Sequence, residues 1–189
     1  AYGFKSVKWL QKVVLTNAPY ANDTYANGNN DVDSWMKSFA KFVSHPVTTK
    51  SGQLIPVTGL AQVGISGLKK VQYLLQPADQ TQPADDPYFT NANWQDATIL
   101  APPKAWGGGI SDGKLPSGVL GFDADSRQPD RWPMRYTLAH WAVLIPAVKS
   151  GKYHLRCRTI DSNGVAQPMP RPFAKSGRNS IQQVDLTVE

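Results

Sequence analysis

The chain has 189 residues, of which 41% are hydrophobic and 18% charged, with 15 Gly and 15 Pro. That length supports one domain with a core, or two small ones. The low charge excludes intrinsic disorder, and the Gly and Pro content favours short strands and turns over a helical bundle. Lys and Arg number 20 against 14 Asp and Glu, a net charge of +6. No four basic residues run together, so the charge does not form a nucleic-acid-binding stripe. No apolar run approaches the ~20 residues of a membrane span. One cysteine excludes an internal disulfide, a Cys-rich zinc site and a Cys-x-x-Cys redox pair. The start, Ala1-Tyr2-Gly3-Phe4-Lys5, has neither an initiator Met nor the basic and apolar regions of a signal peptide, and the chain reads as cut from something longer.

Residues 7–17 (VKWLQKVVLTN) are apolar and β-branched and predict a strand. Residues 17–33 turn to Asn, Asp, Gly, Tyr and Ala without periodicity, a loop or extended arm. A short helical turn is predicted over 35–43, with Asp33 or Ser34 as its N-cap. His45-Pro46 and Ser51-Gly52 then punctuate the chain. Strands are predicted at 54–63, 68–75, 136–148, 153–161 and 181–188, each bounded by Gly, Pro, Asn or Asp.

Gly64-Ile65-Ser66-Gly67 lacks one residue of the Gly-x-Ser-x-Gly elbow, so it reads as a tight turn rather than a nucleophile site. In 153–161, Tyr153, Leu155, Cys157 and Thr159 share one face, while His154, Arg156 and Arg158 share the other, which is expected to be wet. Val184, Leu186 and Val188 alternate in the same way, placing Leu155, Cys157, Val184 and Leu186 in the core. The pattern predicts an all-β fold, an antiparallel β-sandwich of immunoglobulin type with an N-terminal arm. Residues 76–133 read as a long, partly ordered insertion anchored by Trp94, Trp106 and Trp132.

Little in the chain looks catalytic. His45, His140 and His154 lie far apart and outside any metal-binding frame. Gly107-Gly108-Gly109 is followed by neither Lys-Ser nor Lys-Thr, so a loop is expected rather than a phosphate cradle. Asp123, Asp125 and Asp130 lack the spacing of a calcium loop. Cys157 sits on the core side of its strand and is expected to be an inert thiol rather than a ligand or nucleophile.

Two regions together carry a family resemblance. Residues 3–10 (GFKSVKWL) resemble the end of the molybdenum-cofactor domain of sulfite-oxidase-family enzymes. The remainder resembles that family's C-terminal immunoglobulin-like (E-set) dimerisation domain. The matching pieces are 57–61 (VTGLA), 67–71 (GLKKV), Trp141, 151–161, 163–168 (NGVAQP) and 179–188. The long insertion and Asn-rich arm resemble those of bacterial branches.

The resemblance implies a division at 1–45, the tail of the molybdopterin domain plus the arm, and 46–189, the dimerisation domain with its insertion at 76–133. It also implies that Ser6, Val7 and Lys8 lie against the molybdopterin, where backbone N–H groups, a hydroxyl and an ammonium suit a phosphate. Where sulfite oxidases proper bring an arginine to the oxyanion pocket, this chain has Ala174, with Arg171, Lys175 and Arg178 nearby as pocket candidates.

The expected partners are the chain's own catalytic domain and a second copy of the parent, with no nucleic acid and no membrane span. Molybdopterin-bound molybdenum is expected in the full-length parent and no cofactor in this piece alone. The implied setting is periplasmic or exported. The self-association contact is expected on the sheet carrying Val71, Tyr73 and Leu75, or on the arm. A free-standing immunoglobulin-like module that binds carbohydrate or protein is the other reading.

Overall fold

The computed structural model describes residues 38–64, 66–80, 84–86, 88–106, 112–167 and 180–189. The fold is all-β, and no helix occurs among the described residues. Eight strands follow in chain order: β1 (Phe39–Ser44), β2 (Thr48–Thr49), β3 (Ile55–Gln62), β4 (Leu68–Pro77), β5 (Gln95–Ile99), β6 (Ala139–Ile145), β7 (Gly151–Asp161) and β8 (Gln182–Val188). They form one sheet in the order β1-β3-β6-β5-β4-β7-β8-β2. Every ladder is antiparallel except the short β2–β8 pair.

β5 makes this sheet curl. Its first residues pair with β4, through Gln95↔Tyr73 to Ala97↔Val71, and its last two pair with β6, through Thr98↔Ala142 and Ile99↔Trp141. A strand that changes partner along its length bends the sheet there. The two halves, β1-β3-β6 and β4-β7-β8, consequently face each other across one core. Ile55, Val57, Ala61 and Trp141 come from one side, and Val71, Tyr73, Leu155, Cys157 and Leu186 from the other. Val184 packs at the edge of that core.

The strands form where apolar residues alternate. β3 buries Ile55, Val57, Gly59 and Ala61 and leaves Pro56 and Thr58 exposed. The turn that joins β3 to β4 closes with Gly67 N–H donating to the Gly64 carbonyl, and Gly67 takes φ +78°, where a Cβ would be strained.

One expectation is corrected here. Residues 39–43 belong to β1, not to a helical turn. Ala40 and Phe42 alternate inward, pair with Ala61 and Gly59, and gain more from that non-local burial than a short local helix would supply. Because β1 shares a sheet with β3, the β unit already includes residues 39–44. Within residues 76–133 the ordered part includes β5.

Around the bend, Trp141 is fully buried and lies on Gly59, its cross-strand partner. A Cβ built on Gly59 would stand 2.3 Å from the Trp141 ring and 2.2 Å from the Lys41 carbonyl oxygen. Phe42, the β1 partner of Gly59, meets the Trp141 ring edge-on at 5.6 Å. Glycine is needed there because its missing side chain is the space the indole fills.

The sheet's open end is closed by side chains rather than by a ladder. The buried Gln167 Oε1 accepts from the backbone N–H of Ala40 (3.0 Å) and of Thr159 (3.2 Å), and its Nε2 donates to the Ser180 carbonyl (2.8 Å). Gln182 Oε1 accepts from the Phe42 N–H at 2.8 Å. Alternate amides of β1 thus find partners on carboxamides held by the segment after β7 and by β8, and Ser38 and Thr159 add a hydroxyl contact at 2.5 Å.

Gly59→Ala is expected to lower stability by about 3 kcal/mol or more, because neither the indole nor the backbone carbonyl can retreat cheaply. Urea denaturation read by tryptophan fluorescence checks this; a change within experimental error would show that the site relaxes. Gln167→Leu strands two backbone N–H groups and should cost about 3 kcal/mol in the same assay, since each buried unpaired donor costs about 1–3 kcal/mol.

Candidate functional site

Ser6, Val7 and Lys8, and also Arg171, Ala174, Lys175 and Arg178, lie outside the described residues, as does Gly107-Gly108-Gly109. The three histidines are not brought together. His45 Nδ1 sits 3.2 Å from the Pro46 carbonyl, His140 is exposed on β6, and His154 Nδ1 is 2.8 Å from Asp185 Oδ1. Asp123 accepts the backbone N–H groups of Asp125 and Ser126 and so builds a turn. Among the described residues no three carboxylate, histidine or cysteine side chains cluster as metal ligands. Cys157 is fully buried, and burial pushes its thiol pKa far up, which keeps it neutral and unreactive.

The anchoring tryptophans behave as expected. Trp106 stacks edge-on against Phe122 (5.2 Å) and Trp132 (5.9 Å), and Trp132 Nε1 donates to the Leu100 carbonyl at 2.8 Å. These contacts tie the turn at 119–130 back to the end of β5.

The supposed wet face of β7 is covered, and this corrects the sequence reading. Arg156 and Arg158 are each only 9% exposed. Residues 88–94 lie over them, placing the Phe89 ring 4.1 Å from Arg156 and the Trp94 ring 4.2 Å from Arg158. Gln76 Oε1 accepts from Arg156, and Gln72 Oε1 accepts twice from Arg158. Desolvation lowers both guanidinium pKa values, and for Arg158 the Asp86 carboxylate works in the opposite direction. A π-face and a carboxamide thus replace water around each cation. Phe89 and Trp94 also join Leu74 in a small second core. Phe89 and Trp94 lie more than sixty residues before Arg156 and Arg158 in the sequence, and only the fold shows that they meet.

Two surfaces remain as candidates for binding. The first is an open cavity of about 540 Å³ between the end of β4, the start of β5 and the end of β6. Tyr73, Leu75, Ile145 and Val148 give it an apolar lining, with Gln76, Gln80, Asn93 and Gln95 as carboxamides, and no charged residue lines it. The second is the outer face of β1-β3-β6. Val43 is 60% and Leu144 63% exposed there, beside Pro56, Leu60 and Ala142. On the sheet named for the self-association contact, Val71 and Tyr73 point into the core.

No protein-family model matches the chain, and no curated protein matches it.

A double-mutant cycle on Trp94→Ala and Arg158→Ala should give a coupling of about 1 kcal/mol, the magnitude of a partly desolvated cation–π pair. Denaturant unfolding of the four proteins measures it; additive losses would mean that the stacking contributes nothing.

Proposed function

We propose that the chain is the dimerisation domain of a sulfite-oxidase-like, molybdopterin-dependent oxidoreductase and serves subunit assembly rather than chemistry. The reading is supported by the order of the sequence pieces from 3–10 through 179–188 and is consistent with the all-β fold. Among the described residues no three His, Cys, Asp or Glu side chains group as metal ligands. The observation that carries the assembly role is the exposed apolar outer face of β1-β3-β6. Side chains such as Val43 and Leu144 there have no covering element among the described residues.

A two-fold contact uses such a patch twice, so a modest face is enough to hold two copies. His140 and Lys41 on the same face keep it soluble when it is not engaged. In this reading the molybdenum cofactor belongs to the upstream domain. Ser6, Val7 and Lys8 contribute backbone donors, a hydroxyl and an ammonium to its phosphate, in a periplasmic or exported enzyme.

Sedimentation equilibrium should show a self-associating protein. Val43→Glu combined with Leu144→Glu should weaken the association about tenfold or more while the circular dichroism is unchanged. Metal analysis of the full polypeptide carrying this chain should find molybdenum. A polypeptide that folds and purifies without it would overturn the enzyme assignment, and charge variants that associate normally would overturn the face.

A further inference from the structure

β4 is longer than its partner on the cavity side. It pairs with β7 from Leu68↔Asp161 through Pro77↔Tyr153, whereas its ladder with β5 ends at Tyr73↔Gln95. The chain preceding β5 does not continue along β4. It turns outward at Trp94, whose N–H bonds to the Ala92 carbonyl and whose ring goes to Arg158. The aromatic cover of the buried arginines therefore leaves Leu74–Gln76 without a strand on that side among the described residues. In a strand, alternate backbone groups point to each neighbour, so one set here faces β7 and the other faces the cavity. Pro77 ends this edge because it has no N–H to give.

The cavity has the properties of a strand-sized slot. Its lining includes Leu74, Leu75 and Gln76 from that edge, with Ile145 and Val148 across from it. About 540 Å³ accommodates a few extended residues. Apolar side chains on one wall would meet apolar groups of a guest, and carboxamides can both donate to and accept from its main chain. No charged residue lines the slot, so a charged side chain entering it would lose hydration without gaining a counter-ion.

We propose that this edge of β4 accepts an extended, uncharged peptide segment, which lies in the cavity as an added strand in line with β5. Main-chain hydrogen bonds to Leu74–Gln76 supply the affinity, and the apolar wall selects small aliphatic or hydroxyl side chains. This site lies apart from the outer face assigned to self-association and does not depend on that assignment.

The test is a titration of the isotopically labelled chain with the blocked peptide acetyl-Ser-Val-Thr-Val-amide, followed by amide NMR. Shifts should concentrate at Leu74–Gln76, Asn93, Gln95 and Ile145 and should saturate in the millimolar range or below. The same peptide methylated on alternate backbone nitrogens should bind about tenfold more weakly in the register where those nitrogens face β4, the loss expected for one main-chain hydrogen bond. Equal binding of both methylated registers would overturn strand addition. So would shifts elsewhere, no shifts at millimolar peptide, or the same shifts produced by maltose at equal concentration.

Discussion

The curled sheet depends on how its two ends are held together. β1 lies at one end of the strand order and β7-β8 near the other, yet no backbone ladder joins them among the described residues. Gln167 and Gln182 take the place of the missing strand, offering a carboxamide oxygen to Ala40 N–H and Phe42 N–H. A glutamine side chain reproduces the donor and acceptor of a peptide unit on a short tether. Two halves whose spacing does not suit direct pairing can therefore still satisfy each other's backbone. With this closure in place the core is enclosed on both sides; without it, β1 would present open amides beside a hydrophobic interior.

The bend at β5 and the packing of Trp141 on Gly59 complement that closure. The curl brings the halves to core distance, and the largest buried side chain fills the space where a glycine leaves room. Apolar burial on this scale is the main favourable term, and hydrogen bonds such as those of Gln167 chiefly prevent the penalty of unpaired groups. The Asp161 turn repeats the idea locally. Its Oδ1 accepts from Asn163 N–H and Val165 N–H, returning the chain after β7 so that Gln167 can reach β1.

Much of this was legible beforehand because period-two alternation is a local signal. β3, β4, β7 and β8 carry it clearly, with Gly, Pro or Asp at their ends. β1 was misread because its apolar residues also suit a helix, and only Gly59 and Ala61, distant in sequence, decide between the two. β5 (QDATI) escaped because its role comes from hydrogen bonds on both edges rather than from apolar content; only Ala97 and Ile99 pack inward. Arg156 and Arg158 look like solvated cations until Phe89 and Trp94 fold over them. The cavity beside β4 left no mark in the sequence, since it arises where one strand outruns another. The residues that carry the family resemblance most directly, Ser6 to Lys8 and Arg171 to Arg178, lie outside the described part of the chain.

The covered arginines change what the formal charge means. The chain carries +6 on paper, but Arg156 and Arg158 lie beneath aromatic rings and offer no guanidinium for direct contact. Their charge still reaches the surroundings, because each cation lies under a single ring at 4.1–4.2 Å, well inside a Debye length of about 8–10 Å, and packed protein screens it less than water does. What the cover removes is the forked contact, since a phosphate or sulfate that would chelate an open guanidinium meets a ring and a carboxamide instead. Anion recognition through paired hydrogen bonds therefore falls to the scattered lysines and the remaining arginines.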